Sequence, residues 1–168
     1  MLKPINRLLK LIEFKGTWVE IKLPTFDDAG HYAYALRMIF AAIEEFFNIG
    51  FDQRRLNTQL VGDVFLDALM NAAKHGNQKD LNKKIIIGLW FGRNGVLFGI
   101  QDEGDFFRKQ STKELVELQA VFASTGEDSC GIGMTNIYQA DEVHVSTEEN
   151  VLYVVILAES MIIKRHDG

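Results

Sequence analysis

The feature that most constrains the fold is a pair of apolar runs joined by a short turn. Residues 84–91 and 96–101 are rich in isoleucine, leucine and phenylalanine, and Arg93-Asn94-Gly95 lies between them. An Asn-Gly pair between two apolar runs is a strong signal for a β-hairpin, because both residues accept the positive φ angles of tight hairpin turns. The sequence therefore predicts two adjacent antiparallel strands near the middle of the chain.

Further elements follow from hydrophobic periodicity and from turn residues. Residues 17–23 alternate between apolar and polar side chains, as a half-buried strand does, and Pro24 ends that strand. Segments whose apolar residues recur at helical spacing are predicted to be helices. The predicted elements are, in chain order, a strand at 17–23, a helix from Asp27 or Asp28 to about Asn48, a helix at 54–75, strands at 84–91 and 96–101, a short helix at 112–122, a short helix ending at Ala140, and strands at 142–146 and 151–157.

This order predicts an α+β fold, a two-layer α/β sandwich in which helices cover one face of a mixed, mostly antiparallel sheet. Residues 17–158 are expected to form that domain, and a length of 168 residues fits one domain with a buried core. Residues 1–16 are interpreted as an N-terminal packing or dimerising segment; the alternative is a basic amphipathic helix on a membrane surface. Residues 159–168 are interpreted as a C-terminal tail with a frayed end.

Charge and cysteine content argue against several function classes. The net charge of -5 does not suit a protein that neutralises a nucleic-acid backbone. Cys130 is the only cysteine, which excludes an intrachain disulfide and a cysteine-rich zinc site and fits a reducing cytoplasm. No stretch approaches the roughly 20 apolar residues of a membrane span.

A line of short polar side chains runs along the predicted second helix. Asp63, Asp67, Asn71 and His75 recur every four residues and so lie near one edge of that helix. A solvated helix face is one interpretation, but such faces usually carry Lys and Glu. Asp and Asn have lower helix propensity, and their short oxygen-bearing side chains suit a metal or a positioned water. The helix alone leaves both interpretations open.

Two glycine-containing motifs follow. A carboxylate such as Asp102, at the end of an apolar strand, can accept a hydrogen bond from an exocyclic amine, and Gly104 leaves room for a ring against the backbone. Gly131-Ile132-Gly133 opens a helix, where exposed N–H groups and the helix dipole favour a phosphate. Each motif alone is also ordinary turn chemistry. The order and spacing of all three motifs together favour a nucleotide site.

Together these motifs resemble the GHKL superfamily of ATP-binding domains, and within it the bacterial anti-sigma-factor serine/threonine kinases. The N-box of that family is an acidic residue, three others and Asn, followed by His-Gly. Here it reads Asp67-Ala-Leu-Met-Asn71-Ala-Ala-Lys-His75-Gly76-Asn77. The glycine boxes correspond to the two motifs above, and the similarity covers about residues 17–157. The resemblance implies the Bergerat ATP-binding fold.

The resemblance also implies a role for each matching residue. Asn71 would coordinate the Mg²⁺ that bridges the phosphates, and Asp67 would orient or deprotonate the attacking group. Asp102 would read the adenine amine. Residues 105–130 would form a lid over the phosphates. The implied ATP-binding residues are Asn71, His75, Asp102, Gly104, Gly131, Ile132 and Gly133, and the implied lid residues are Arg108, Lys109 and Ser129.

By the same resemblance, the chain is expected to phosphorylate a serine or threonine of a small anti-sigma antagonist of the STAS type. A sigma factor would be a second partner, and a homodimer would form through the first strand and first helix. Neither nucleic acid nor membrane is expected as a partner. The alternative is a module that binds nucleotide and regulates by protein contact without phosphoryl transfer. A histidine-kinase catalytic domain is disfavoured, because no phosphoacceptor helix pair precedes the domain.

Four positions depart from the family pattern and bear on that choice. Asp67 stands where the family usually has Glu, and Phe106 stands where the first glycine box has a second glycine. Residues 126–130 are acidic where kinase-like relatives often carry an arginine. Glu149-Asn150 replaces the Gly-Thr pair before the last strand. A carboxylate one methylene shorter is expected to slow transfer more than binding, because catalysis is sensitive to misplacements of about 1 Å.

Overall fold

The computed structural model describes residues 1–26, 29–49, 54–105 and 136–164. Within these ranges it contains seven strands and four α-helices, with three short turns of 3₁₀ or π-helix. The helices are α1 (Asn6–Leu11), α2 (Ala33–Phe46), α3 (Thr58–Asn71) and α4 (Ala158–Met161). The strands are β1 (Phe14–Pro24), β2 (Arg54–Leu56), β3 (Lys84–Gly92), β4 (Gly95–Asp102), β5 (Glu142–Ser146), β6 (Val151–Leu157) and β7 (Ile162–Lys164).

Five strands form one sheet in the order β1-β3-β4-β6-β5, and every neighbouring pair is antiparallel. The predicted central hairpin is confirmed, but its strands are longer than expected. Gly92 pairs with Gly95, so Arg93 and Asn94 alone form the turn. Gly95 is required by crowding: a Cβ there would lie 2.6 Å from the carbonyl oxygen of Ile156 on β6.

The main hydrophobic core lies between this sheet and helices α2 and α3. Ile39 and Ile43 of α2 and Phe65 of α3 are at most 1% exposed. They pack against the side chains of β3 and β4 that point to the same face, among them Leu89 and Phe98. The alternation of strand side chains gives the sheet one apolar face here, and the helical stripes cover it. The prediction of an α+β fold with a mostly antiparallel sheet is confirmed.

The opposite face of the sheet is covered by the N-terminal segment, which was expected to lie outside the domain. Leu8 and Ile12 of this segment are fully buried against Trp90 and Tyr153. An ion pair between Arg7 and Glu142 ties α1 to β5. Buried apolar side chains of the segment therefore pack on the sheet. Helices thus lie on both faces of the sheet.

Three boundaries differ from the sequence-based expectations. β1 begins at Phe14 and contains a bulge at Gly16, whose φ is +92°. Arg54–Leu56 was predicted as the start of a helix but forms a strand. It pairs with Ile162–Lys164, which was predicted to be a frayed end. The reason is a long-range pairing, which local periodicity does not encode.

The second helix therefore starts later, at Thr58, where the side chain of Asn57 accepts a hydrogen bond from the N–H of Leu60 at 3.1 Å. Helix α2 starts at Ala33, and both proposed caps, Asp27 and Asp28, lie outside the described residues, as does the predicted helix at 112–122. Across the described ranges, every helix is too short or too polar to cross a bilayer.

Candidate functional site

The polar line on α3 and the turn after it is only partly exposed to solvent. Asp63, Asp67 and His75 are only half-buried, and Asn71 is 5% exposed. The Oδ1 atom of Asn71 has no hydrogen-bond partner among the described residues. Leaving a buried acceptor without a partner costs about 1–3 kcal/mol, so such an atom calls for a ligand or another explanation.

Helix α3 ends in a wider turn that aims the N-box at the end of the sheet. Ala72–Gly76 form a π-helical turn, closed by a hydrogen bond from the N–H of Asn77 to the carbonyl of Ala72 at 2.7 Å. Single π-helical turns are rare in proteins. Those that occur are frequently found at functional sites. This one carries His75 and places Gly76 beside β4.

Asn77 fixes the π-turn to three strand ends. It is fully buried, and its amide donates to the hydroxyl of Thr25 at 2.7 Å and to the carbonyl of Lys84 at 2.9 Å. Its Oδ1 accepts from the N–H of Glu103 at 2.8 Å. Asn77 therefore joins the ends of β1, β3 and β4 to the helix. Asn77 belongs to the N-box, but the sequence analysis gave it no role. The only sequence signal for a structural role was a polar residue directly after Gly76.

The N-box and the first glycine box meet at Gly76. A Cβ on Gly76 would lie 2.1 Å from the carboxyl carbon of Asp102. A Cβ on Gly104 would lie 1.9 Å from the carbonyl oxygen of Gly76. Glycine is thus needed at both positions, although they are distant in the sequence. The Asp102 side chain fills the space at Gly76, and the backbone of Gly76 fills the space at Gly104. The structure brings these three predicted residues into one place.

The Asp102 carboxylate is held by specific donors. It is 7% exposed, and its Oδ1 accepts from the N–H of Gly104 at 2.8 Å and from the amide of Asn150 at 2.9 Å. Burial raises the pKa of the Asp102 carboxyl above its ordinary value, while the two hydrogen bonds and the charge of Lys83 lower it in part. The carboxylate is thus buried, oriented and adjacent to the backbone of the π-turn.

Asn150 is a site residue that sequence analysis missed, because it was noted only as a departure from the family pattern. It is 1% exposed and has a φ of +56°. Its amide also lies 3.2 Å from the carbonyl of Gly104. Asn is one of the few residues that tolerate this left-handed conformation, and this preference before an apolar strand was the available signal.

Asp67 links α3 to the part of the chain that follows the second glycine box. Its Oδ2 accepts a hydrogen bond from the N–H of Asn136 at 3.1 Å. Asn136 is the first described residue after that box. The remaining predicted site residues lie outside the described residues; they are Gly131, Ile132, Gly133, Arg108, Lys109 and Ser129, together with Phe106 and residues 126–130.

The described site offers one buried side-chain oxygen that could contribute to a metal site. No three His, Cys, Asp or Glu side chains come together as a metal site in the ranges that the structure describes. Mg²⁺ is commonly bound through one or two protein oxygens together with substrate phosphates and waters. The buried Oδ1 of Asn71 is an oxygen of this kind, with Asp67 one helical turn before it.

Comparison with known proteins adds no relative. No protein-family model matches the chain. No curated protein matches it either. A functional proposal for this chain therefore depends on the geometry around Asn71, Gly76 and Asp102.

Proposed function

We propose that this chain is an ATP-binding domain with the Bergerat fold of the GHKL superfamily. The observation that carries the proposal is the meeting of Gly76, Asp102 and Gly104 at the end of helix α3. Asp102 supplies an oriented acceptor, and Gly76 and Gly104 let the backbone pack closely against it. A buried and oriented carboxylate suits the exocyclic amine of an adenine.

The phosphates would lie toward the earlier turns of α3. Asn71 would hold Mg²⁺ through its Oδ1, the buried acceptor that has no partner among the described residues. When bound, Mg²⁺ would neutralise phosphate charge. Gly131, Ile132 and Gly133 would contribute N–H groups. Lid residues Arg108, Lys109 and Ser129 would close over them, as the family resemblance implies.

We further propose that the chain is a regulatory serine/threonine kinase that acts on a small STAS-type anti-sigma antagonist, with a sigma factor as a second partner. Asp67 would orient the attacking hydroxyl. It lies on the same edge of α3 as Asn71, one turn away, and contacts the main chain at Asn136. The single cysteine suits a cytoplasmic location.

The alternative is a module that binds nucleotide and regulates by contact. The observation that favours it is the hydrogen bond from Asn136 to Asp67, because it gives the Asp67 carboxylate a structural use. A carboxylate that holds the backbone near the phosphates does not need to reach a substrate hydroxyl. Both functions use the same nucleotide site.

Calorimetric titration with ATP and Mg²⁺, followed by a phosphotransfer assay, distinguishes these possibilities. We expect ATP to bind with an affinity that depends on Mg²⁺, and phosphate to appear on a serine or threonine of a STAS-domain substrate. Binding without transfer to any tested antagonist would select the contact-only module. Absence of binding at millimolar ATP would refute the nucleotide site itself. Asp67→Ala serves as the transfer-defective control.

A homodimer through strand β1 and helix α2, the first predicted strand and helix, is also proposed. β1 is an outer strand of the described sheet, and its Trp18 and Val19 are 43% and 42% exposed. On α2, Tyr34 and Met38 are 69% and 43% exposed. Exposed apolar side chains on an edge strand favour pairing with another chain. Light scattering should give a dimer mass for the chain and a monomer mass for Val19→Lys; a monomer at all concentrations would contradict this proposal.

A further inference from the structure

Tyr153 contacts both the N-terminal segment on the back of the sheet and the turn whose Asn150 holds Asp102. Tyr153 of β6 is fully buried in the back-face cluster with Leu2 and Leu8. Its hydroxyl donates to the carbonyl of Lys3 at 2.6 Å. The same hydroxyl lies 3.3 Å from Oε2 of Glu149. Tyr153 therefore stands between the N-terminal segment and the turn before β6.

The hydroxyl of Tyr153 has two acceptors for a single proton. A carbonyl oxygen and a carboxylate both accept and neither donates, so the one phenolic proton is shared between them in a bifurcated hydrogen bond. Burial and the nearby Glu149 carboxylate both raise the pKa of the Tyr153 hydroxyl, which keeps that one proton in place. The contact to the Lys3 carbonyl is the shorter of the two.

The turn that carries Glu149 is joined to the end of β4 by two adjacent links. The side-chain amide of Gln101 donates to the carbonyl of Glu149 at 2.7 Å. The side-chain amide of Asn150 donates to Asp102 at 2.9 Å. Asn150 is held at a positive φ, a conformation that costs a non-glycine residue about 1–2 kcal/mol and persists only where its surroundings hold it.

We infer that Tyr153 is a positioning residue for Asp102, and that docking of residues 1–5 on the sheet controls it. With Lys3 in place, the hydroxyl joins the Lys3 carbonyl to the Glu149 carboxylate, and the turn holds Asn150 against Asp102. When the segment leaves, or when the hydroxyl is removed, Tyr153 no longer ties Glu149 and its turn to the segment. The Asn150–Asp102 hydrogen bond then loosens, and recognition of an amine by Asp102 weakens. This inference rests on the proposed ATP site.

The chemical consequence is a change in base selectivity. An ionised and oriented Asp102 accepts from the 6-amino group of adenine but meets an acceptor in the 6-oxo group of hypoxanthine. ATP and inosine triphosphate differ only at the 6-substituent and in the proton on the neighbouring N1, so the ratio of their affinities reports on recognition of this edge of the base without reference to the phosphates. Tripolyphosphate, which has no base, reports on the phosphate half of the site.

The test compares three variants of the full chain by calorimetry. Tyr153→Phe keeps the ring in the back-face cluster and removes only the hydroxyl. Leu2→Ala weakens docking of the segment and leaves the hydroxyl of Tyr153 in place. Lys3→Ala is the matched control, because the hydrogen bond uses the main-chain carbonyl of Lys3 and the substitution leaves that carbonyl in place.

We expect Tyr153→Phe and Leu2→Ala to reduce the preference for ATP over inosine triphosphate by about fivefold, equivalent to about one hydrogen bond of ordinary strength. Tripolyphosphate affinity and the selectivity of Lys3→Ala should not change. Wild-type selectivity in Tyr153→Phe would overturn the inference. So would an equal loss of tripolyphosphate binding, which would indicate a general structural defect.

A second measurement separates failure of this inference from failure of the proposed function. The N–H of Gly104 donates to Asp102, so its hydrogen exchange reports on the carboxylate in the absence of nucleotide. Exchange should be faster in Tyr153→Phe than in the unmodified chain and in Lys3→Ala. If no nucleotide binds, faster exchange still supports the coupling. Unchanged exchange contradicts it whether or not ATP binds.

Discussion

Replacement of Asn71 by leucine should make the free chain more stable while it removes the metal-dependent part of ATP binding. Asn71 is 5% exposed, and its Oδ1 has no partner among the described residues. A buried acceptor in this state costs about 1–3 kcal/mol, and an apolar side chain of similar shape removes that cost. Leucine also has a higher helix propensity than asparagine by a few tenths of a kcal/mol.

The expected gain in the free energy of unfolding is therefore about 1–2 kcal/mol, after part of it is lost to the larger volume of leucine. For a chain of this size each kcal/mol raises Tm by about 2–4 °C. Urea denaturation and thermal melting in EDTA measure this gain. Titration with ATP, with and without Mg²⁺, measures the loss of the metal-dependent affinity.

Asn77→Leu is the matched control, because it makes the same substitution at a buried asparagine whose amide is satisfied. It leaves the hydroxyl of Thr25, the carbonyl of Lys84 and the N–H of Glu103 without their partner. This variant should lose about 3 kcal/mol or more. If Asn71→Leu were destabilised to the same extent, the Asn71 oxygen would have a partner in the free chain and the reasoning would be wrong. An unchanged dependence on Mg²⁺ would refute its role as a ligand.

Three further predictions concern helix α3 and the site that follows it. Gly76→Ala should lose about 1–3 kcal/mol and ATP recognition, because its Cβ would lie 2.1 Å from the carboxyl carbon of Asp102. Gly62→Ala, on the same helix but with its nearest neighbour at 3.5 Å, should be neutral or gain up to about 1 kcal/mol; equal losses in the two variants by urea denaturation would contradict the crowding argument. Because burial raises the pKa of Asp102 above 3.8, the folded state binds the proton more tightly than the unfolded state. The chain should therefore lose stability relative to Asp102→Asn as the pH rises from 3.8 through the folded pKa. If urea denaturation gives the same difference in unfolding free energy between the two proteins at every pH in that window, this effect is excluded. Asn57→Ala removes the cap of α3 and should cost about 1 kcal/mol, with a Tm lower by about 2–4 °C; no change on melting would mean that the cap hydrogen bond is not formed in solution.

The strands of the five-stranded sheet were predictable from the sequence because their signals are local. Apolar runs on either side of Arg93 and Asn94 placed β3 and β4, and the bounds of β5 and β6 were predicted without error. The core side of α3 followed from the spacing of its apolar residues. The turn at Gly76 was predicted as a helix end, but its π-helical form and its packing against Asp102, which is distant in the sequence, were not.

Pairings between distant residues were decided only by the tertiary structure. The β2–β7 ribbon replaced a predicted helix start and a predicted frayed end, because each short strand is stable only beside the other. In the site, the sequence identified Asn71 and Asp102 from their motifs but gave no role to Asn77 or Asn150. Their contribution is a hydrogen bond to a distant partner, and it exists only once the sheet has formed.

The sequence by itself thus determined the candidate site residues, and the tertiary structure decided how the described ones are oriented. Residue type and helical spacing are local properties, so they suffice to place Asp67 and Asn71 on one edge of a helix. The orientation of Asp102 depends on Gly76 from one element and Asn150 from another. Such contacts depend on the close packing of separate elements, which local periodicity does not specify.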